Sequence, residues 1–215
     1  MAFFQQLSEQ TAADKAYLLS APAITEALQG KVTETRYLGF LTQAYYHVKH
    51  TVPLLMAAGS RMVDEQEWLR KAIVEYIDEE YGHEQWILND IKALGGDVDA
   101  VRNGQPDIST ELMVAYVYDR IQRQHPAAFF GMAHVLEGTS VALATQAAGQ
   151  IQQQLGLPNT AFSYLRSHGS LDVEHVDFFR QLMDRLQDQA AQAAIVTTAS
   201  RVYRLYGDMF RRLPA

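Results

Sequence analysis

Six residues with metal-ligand chemistry interrupt apolar helical stripes in this sequence: Glu80 and His83, Glu137, and His168, Asp172 and His175. The last three form the tightest set. At about 100° per residue, positions +4 and +7 lie roughly 40° and −20° from the first, so all three share one narrow helix face. Glu80 and His83 fall in a stripe with Leu69, Ile73, Tyr76, Ile87 and Ile91, and Glu137 in a stripe with Phe130, His134, Val141, Ala144, Ala148 and Ile151. A buried carboxylate without a partner costs several kcal/mol, because ionised groups resist leaving water. Lys and Arg are missing from these stripes, so a cation from solution is the natural counter-charge. Three carboxylates and three imidazoles make a six-ligand set for two divalent transition metals. Mixed nitrogen and oxygen donors suit iron or manganese better than calcium or magnesium. The competing reading is a structural network, in which each polar residue is a hydrogen-bonded member of the core.

Three further residues lie near these in register. His47 shares a stripe with Phe40, Ala44, Thr51 and Leu54, and is a candidate for substrate contact. Tyr76, one turn before Glu80, is close enough to meet a bound oxidant. His134, one turn before Glu137, is a candidate to orient that carboxylate. Each has a plainer reading as a packed core residue.

Positioning these groups requires helices, and apolar spacings of three and four run through almost the whole chain, with no convincing alternating strand. The fold class expected is all-α, with seven or eight helices in a single domain over residues 1–215. A first helix is expected near 12–27, and a second from Thr33 as cap to about Met56, its end kinked by Pro53. Asp64 with Glu67 resembles a capping box opening a long helix that carries both Glu80 and His83 and stops at Gly95-Gly96. Ser109 is the expected cap of a shorter helix ending at His125-Pro126. Pro126 then opens a helix reaching about Leu155, before Gly156. A short segment from Asn159 and helices over about 167–187 and 189–211 complete the chain.

Composition narrows the function classes. The 215 residues carry a net charge of −7, which argues against a nucleic-acid partner. The absence of cysteine removes thiol nucleophiles, disulfides, thiolate zinc sites and iron–sulfur clusters. Neither a signal-peptide pattern nor an uninterrupted apolar stretch of membrane-spanning length is seen, so a cytoplasmic protein without membrane contact is expected. A ferritin-like bundle fits poorly. It needs a lone Glu from the second helix, where only Glu34 at the extreme start is present, and it has no place for His168.

At these residues the sequence resembles the haem-oxygenase-like diiron oxidases and oxygenases, within the wider TenA and PQQ synthase C superfamily. The pattern reads Glu80-x2-His83 in DEEYGHEQW, Glu137 in HVLEGTS, and His168-GSL-Asp172-VE-His175. The resemblance implies a haem-oxygenase-like bundle and two iron ions per chain, with manganese or mixed manganese and iron as variants. The ligands it implies are Glu80, His83, Glu137, His168, Asp172 and His175, with the pairing of histidines to ions left open. It also implies O2 as co-substrate, a small organic molecule as substrate (an organic acid, amino acid or fatty-acid-like ligand), and a homodimer as an expected assembly. Neighbouring branches lack residues they require. TenA-type thiaminases use a catalytic Cys, haem oxygenases a His on the first helix, and the para-aminobenzoate-forming branch a Lys on the Glu137 helix; here there is no Cys, no His before His47 and no Lys after Lys92. A metal-free TenA- or PQQ synthase C-like binding protein or cofactorless oxidase is the alternative.

Overall fold

Proline and glycine decide where the helices of this chain start and stop. The computed structural model describes residues 1–141, 143–167 and 176–215. Three short helices come first, α1 (Phe3–Gln10), α2 (Ala12–Leu19) and α3 (Pro22–Leu28). Then follow α4 (Glu34–Val48), α5 (Thr51–Gly59), α6 (Glu67–Glu80) and α7 (His83–Ala93). The short α8 (Val98–Asn103) precedes α9 (Ile108–Arg123), and three long helices end the chain: α10 (Phe129–Leu155), α11 (Ser163–Arg185) and α12 (Gln189–Arg212). Single 3-10 turns at Asp64–Gln66, Pro126–Ala128 and Asn159–Ala161 join some of these. No strand occurs among the described residues, and the fold is all-α.

Among the described residues twelve helices stand where seven or eight were expected, because several predicted helices are divided. The segment expected near 12–27 is split at Pro22, which opens α3 at a position where a missing N–H costs nothing. The helix expected to end at a Pro53 kink instead stops at Val48 and restarts at Thr51, placing Pro53 in the first turn of α5. A first-turn N–H has no intrahelical acceptor, so the chain breaks before the proline rather than bending at it. The expected Asp64–Glu67 capping box is a 3-10 turn in which Gln66 Oε1 accepts from the Val63 N–H, and Asp107 rather than Ser109 caps α9. Thr33 does cap α4, and Gly156 ends α10 in the left-handed conformation.

The core forms two apolar clusters. One gathers side chains of α1, α2, α5, α6, α9, α12 and the first half of α10, around Leu54, Leu69, Tyr76, Phe130 and Tyr203. The other gathers α4, α7, the second half of α10 and the start of α11, around Tyr37, Leu41, Ile87, Ile91 and Phe162. Helix α10 therefore serves both, and it packs most extensively on α11 and α12. Gly131 permits that approach: a Cβ at this position would lie 2.6 Å from the Ile195 carbonyl oxygen of α12. Among the described residues no single helix is long and apolar enough to cross a membrane.

Candidate metal centre

The junction between α6 and α7 builds the first part of the site. The long helix expected to carry Glu80 and His83 is broken at Tyr81-Gly82, where Gly82 adopts φ +90° and Tyr81 is 76% exposed. Only glycine takes that backbone conformation without strain, so the break is written in the sequence GHE. The inward stripe survives it. Leu69, Ile73, Tyr76, Glu80, His83, Ile87 and Ile91 are all buried, on both sides of the junction. His83 Nδ1 lies 3.1 Å from Glu80 Oε2, and the ring stacks on Trp86 with centroids 4.0 Å apart. An ionised carboxylate can only accept, so His83 donates through Nδ1–H, and a neutral ring then carries its lone pair on Nε2. A carboxylate fixing the tautomer of an imidazole is a recurring partner of metal-binding histidines.

Helix α10 brings the second carboxylate. Glu80 and Glu137 open onto one cavity of about 70 Å3, with His47, Tyr76, Ser140 and Tyr206 also on its wall. Tyr76, 1% exposed, reaches Glu137 with Oη 3.5 Å from Oε2. Burial, and then the negative charges of Glu137, Glu79 and Glu80, hold its phenol well above the ordinary tyrosine range. Tyr76 is therefore a neutral O–H donor beside carboxylates. His47 is buried, with its ring edge-on to Tyr206 at 5.6 Å. His134 takes a different place. Its ring stacks on Phe179 and meets Phe4 and Tyr203 edge-on, in the same apolar cluster as Tyr76. Burial, then the nearby Lys15 charge, lowers its pKa to about 4.

His168, Asp172 and His175 lie outside the described residues, on α11. The start of that helix is described, and it is fastened by a residue that sequence reasoning missed. Asp90, fully buried on α7, accepts from the Ser163 N–H at 2.9 Å, the Ser163 hydroxyl and the Tyr164 N–H at 2.9 Å. The N-terminal N–H groups of α11 are thus capped from another helix, while Phe162 at the cap position offers no side-chain acceptor. The available signal was register: Asp90 is seven residues after His83, two turns along the same face.

Among the described residues, no group of three or more His, Asp or Glu side chains is arranged to hold a metal ion. What they supply is a carboxylate–imidazole pair and a second carboxylate bordering one cavity. That donor chemistry, mixed oxygen and nitrogen, fits a transition metal.

The sequence matches the family described as iron-containing redox enzyme over residues 38–207. This chain belongs to that family. The matched span includes α6, α7, α10 and α11, so every candidate ligand lies inside it. No curated protein matches the sequence. Solved structures share the fold. A domain of unknown function with a haem oxygenase-like fold from Shewanella denitrificans is 22% identical, with TM-score 0.87 over 98% of this chain and 91% of that one. A TenA homologue from Pseudomonas syringae is 12% identical, with TM-score 0.81 over 99% and 92%. Haem oxygenase-1 from the cyanobacterium Synechocystis, in complex with haem, is 15% identical, with TM-score 0.77 over 99% and 92%. The family member described here therefore has the haem oxygenase-like fold.

Proposed function

We propose that this chain is a non-haem dimetal oxidase or oxygenase that uses O2 on a small organic substrate. The observation that supports it is the shared cavity: Glu80 and Glu137, from helices remote in sequence, border one small space, with His83 hydrogen-bonded to Glu80. In a family of iron-containing redox enzymes, such a pair of carboxylates is best read as ligands. Glu80, His83 and Glu137, with His168, Asp172 and His175 of α11, would hold two iron ions, or manganese in place of iron. Bound ferrous iron supplies the electrons and open coordination positions that O2 reduction needs.

The protein's own contributions follow from the geometry. Glu80 fixes the His83 ring through Nδ1, which presents Nε2 as the donor atom. The Tyr76 hydroxyl holds a proton toward Glu137 Oε2 and restrains that carboxylate. Phe129, Met132 and Leu136 give the same cavity apolar walls, and a lining of low polarity strengthens the electrostatic interactions beside it. Anaerobic Fe(II) titration, followed by metal analysis and by optical spectra on admitting O2, tests the reading. About two ions per chain and an O2-dependent absorbance are expected. Fewer than one ion per chain and an unchanged spectrum would overturn it. They would favour the second reading, a metal-free binder or cofactorless oxidase, which the fold shared with TenA homologues supports.

A further inference from the structure

A second cavity, of about 100 Å3, lies against the first and shares Ser140, Tyr164 and Tyr206 with it. It is an apolar slot between α3 and α10, where Ala23, Ala27, Ala144 and Ala147 stand in place of larger side chains. Whatever occupies it has to come in from solvent. Just past the end of α12, Leu213 lines this slot and also an open groove of about 360 Å3 along α4, beside Leu38, Gly39 and Thr42. Among the described residues Leu213 alone belongs to both spaces.

The segment Leu213–Ala215 is a strap rather than a part of a helix. At Leu213 the backbone turns extended, with φ −60° and ψ 145°, and Pro214 has no N–H with which to continue the helical ladder. Two hydrogen bonds tie the strap to the start of α4. Arg36 Nε donates to the Pro214 carbonyl at 2.8 Å, and the Thr33 hydroxyl donates to the Ala215 carbonyl at 3.3 Å. The proline ring lies flat on Gly39, where a Cβ would come within 3.0 Å of Pro214 Cδ. Arg36 has two further partners. Its guanidinium pairs with Glu26 of α3, and its side chain forms part of the slot's wall. One residue therefore fastens the strap to α4 and to α3, the helix that carries Ala23 and Ala27. Short extended segments with few packed contacts open locally at lower cost than helices do. Opening here takes two hydrogen bonds and the packing of one leucine, whereas a way in through α4, α10 or α12 would break turns of helix.

From this we infer that Leu213–Ala215 is the door of the apolar slot, latched by Arg36. When Leu213 swings out, the slot joins the groove along α4 and a ligand passes between them. The inference concerns the route of entry and does not rest on the redox reading above.

The lack of cysteine in this chain provides the test. Gly39→Cys combined with Pro214→Cys puts two thiols where strap and helix touch, so oxidation locks the door and reduction releases it. The probe is fluorobenzene, a neutral molecule of the kind that enters apolar cavities, followed by 19F exchange NMR on the metal-free protein. The oxidised double variant should exchange the probe about tenfold more slowly than its reduced form, with unchanged affinity, because a door slows entry and exit alike. Arg36→Lys loses the guanidinium fork and should speed exchange about fivefold, roughly what one hydrogen bond is worth. Leu213→Ala should speed it as well. Equal rates in the oxidised and reduced forms would overturn the inference. So would a probe that does not enter the slot, seen as no binding to wild type or as binding that Ala147→Phe leaves intact. If the double variant fails to fold or its disulfide does not close, the single variants decide: exchange no faster than wild type in both Arg36→Lys and Leu213→Ala removes the door.

Discussion

Glu137 and His134 stand one turn apart on α10, yet the structure sends them into different environments. Glu137 borders a cavity with Glu80 and Tyr76; the His134 ring lies among Phe4, Phe179 and Tyr203. Three residues on a helix are about 300° apart, or 60° short of a full turn, and that angle is enough to turn one side chain to the cavity and the other to the aromatic rings. The difference is chemical as well as spatial. The cavity collects carboxylates, which a cation can neutralise, whereas the aromatic cage holds an imidazole that is stable only when neutral. A polar residue on an inward face is therefore not by itself a ligand; what matters is whether other donors converge on it.

The largest effect that sharpens this contrast belongs to the aromatic side. With its pKa at about 4 in the fold against 6.5 unfolded, His134 is neutral in the native state where the unfolded chain takes up a proton. Its contribution is complete above pH 6.5, falls as pH drops from 6.5 toward 4, and amounts to about 3 kcal/mol. Urea unfolding from pH 7.5 to 4 should show that decline, and His134→Phe should flatten this part of it. An unaltered profile in His134→Phe would place the acid sensitivity elsewhere.

On the cavity side, Glu137→Gln removes a charge and keeps an acceptor for Tyr76. Without metal the variant should be as stable as wild type or more so, since like-charge repulsion with Glu80 is relieved. With Fe(II) at a hundredfold excess over Kd, wild type gains about 2.7 kcal/mol by mass action and the variant should gain little of it. His134→Phe should keep the full gain. Thermal melts with and without anaerobic Fe(II) compare the two; equal gains in both variants would break the distinction between ligand and packing residue.

Asp90→Ala leaves the Ser163 and Tyr164 N–H groups without their carboxylate and should cost about 1–3 kcal/mol, measured by denaturant unfolding. If the start of α11 positions its ligands, Fe(II) affinity should fall as well. Asp90 also carries a pH signature of its own. Burial raises its pKa above 3.8, so its contribution to stability weakens as pH rises through the folded value. The smallest effect is expected for Tyr76→Phe. Its 3.5 Å contact with Glu137 is long, and removal should cost less than about 1 kcal/mol in a melt.

Much of the fold was legible because it depends on local chemistry. The stripe from Leu69 to Ile91 is buried at every expected position, and Thr33, Pro126 and Gly156 punctuate helices where their side-chain and backbone properties require. The splitting of helices was less legible. Pro53 and Gly82 were both visible, but a kink and a restart satisfy the same local rule, and the choice depends on what each half packs against. At the site, Glu80 and His83 were legible as a pair by spacing. Asp90 was overlooked because a carboxylate between Ile87 and Ile91 has meaning only when the start of α11 is beside it.

By itself, then, the sequence determined which side of each helix turns inward and that oxygen and nitrogen donors sit on those sides, because a 3.6-residue period fixes side-chain direction relative to the helix's own axis. Partnership was left to the tertiary structure. It joined Glu80 to Glu137 across 57 positions of chain, gave His134 to the aromatic cluster, fastened α7 to α11 through Asp90, and left an apolar slot beside the carboxylates. The reason is physical: a helix's periodicity carries no information about which remote helix will cover it, and that choice follows from how whole faces pack.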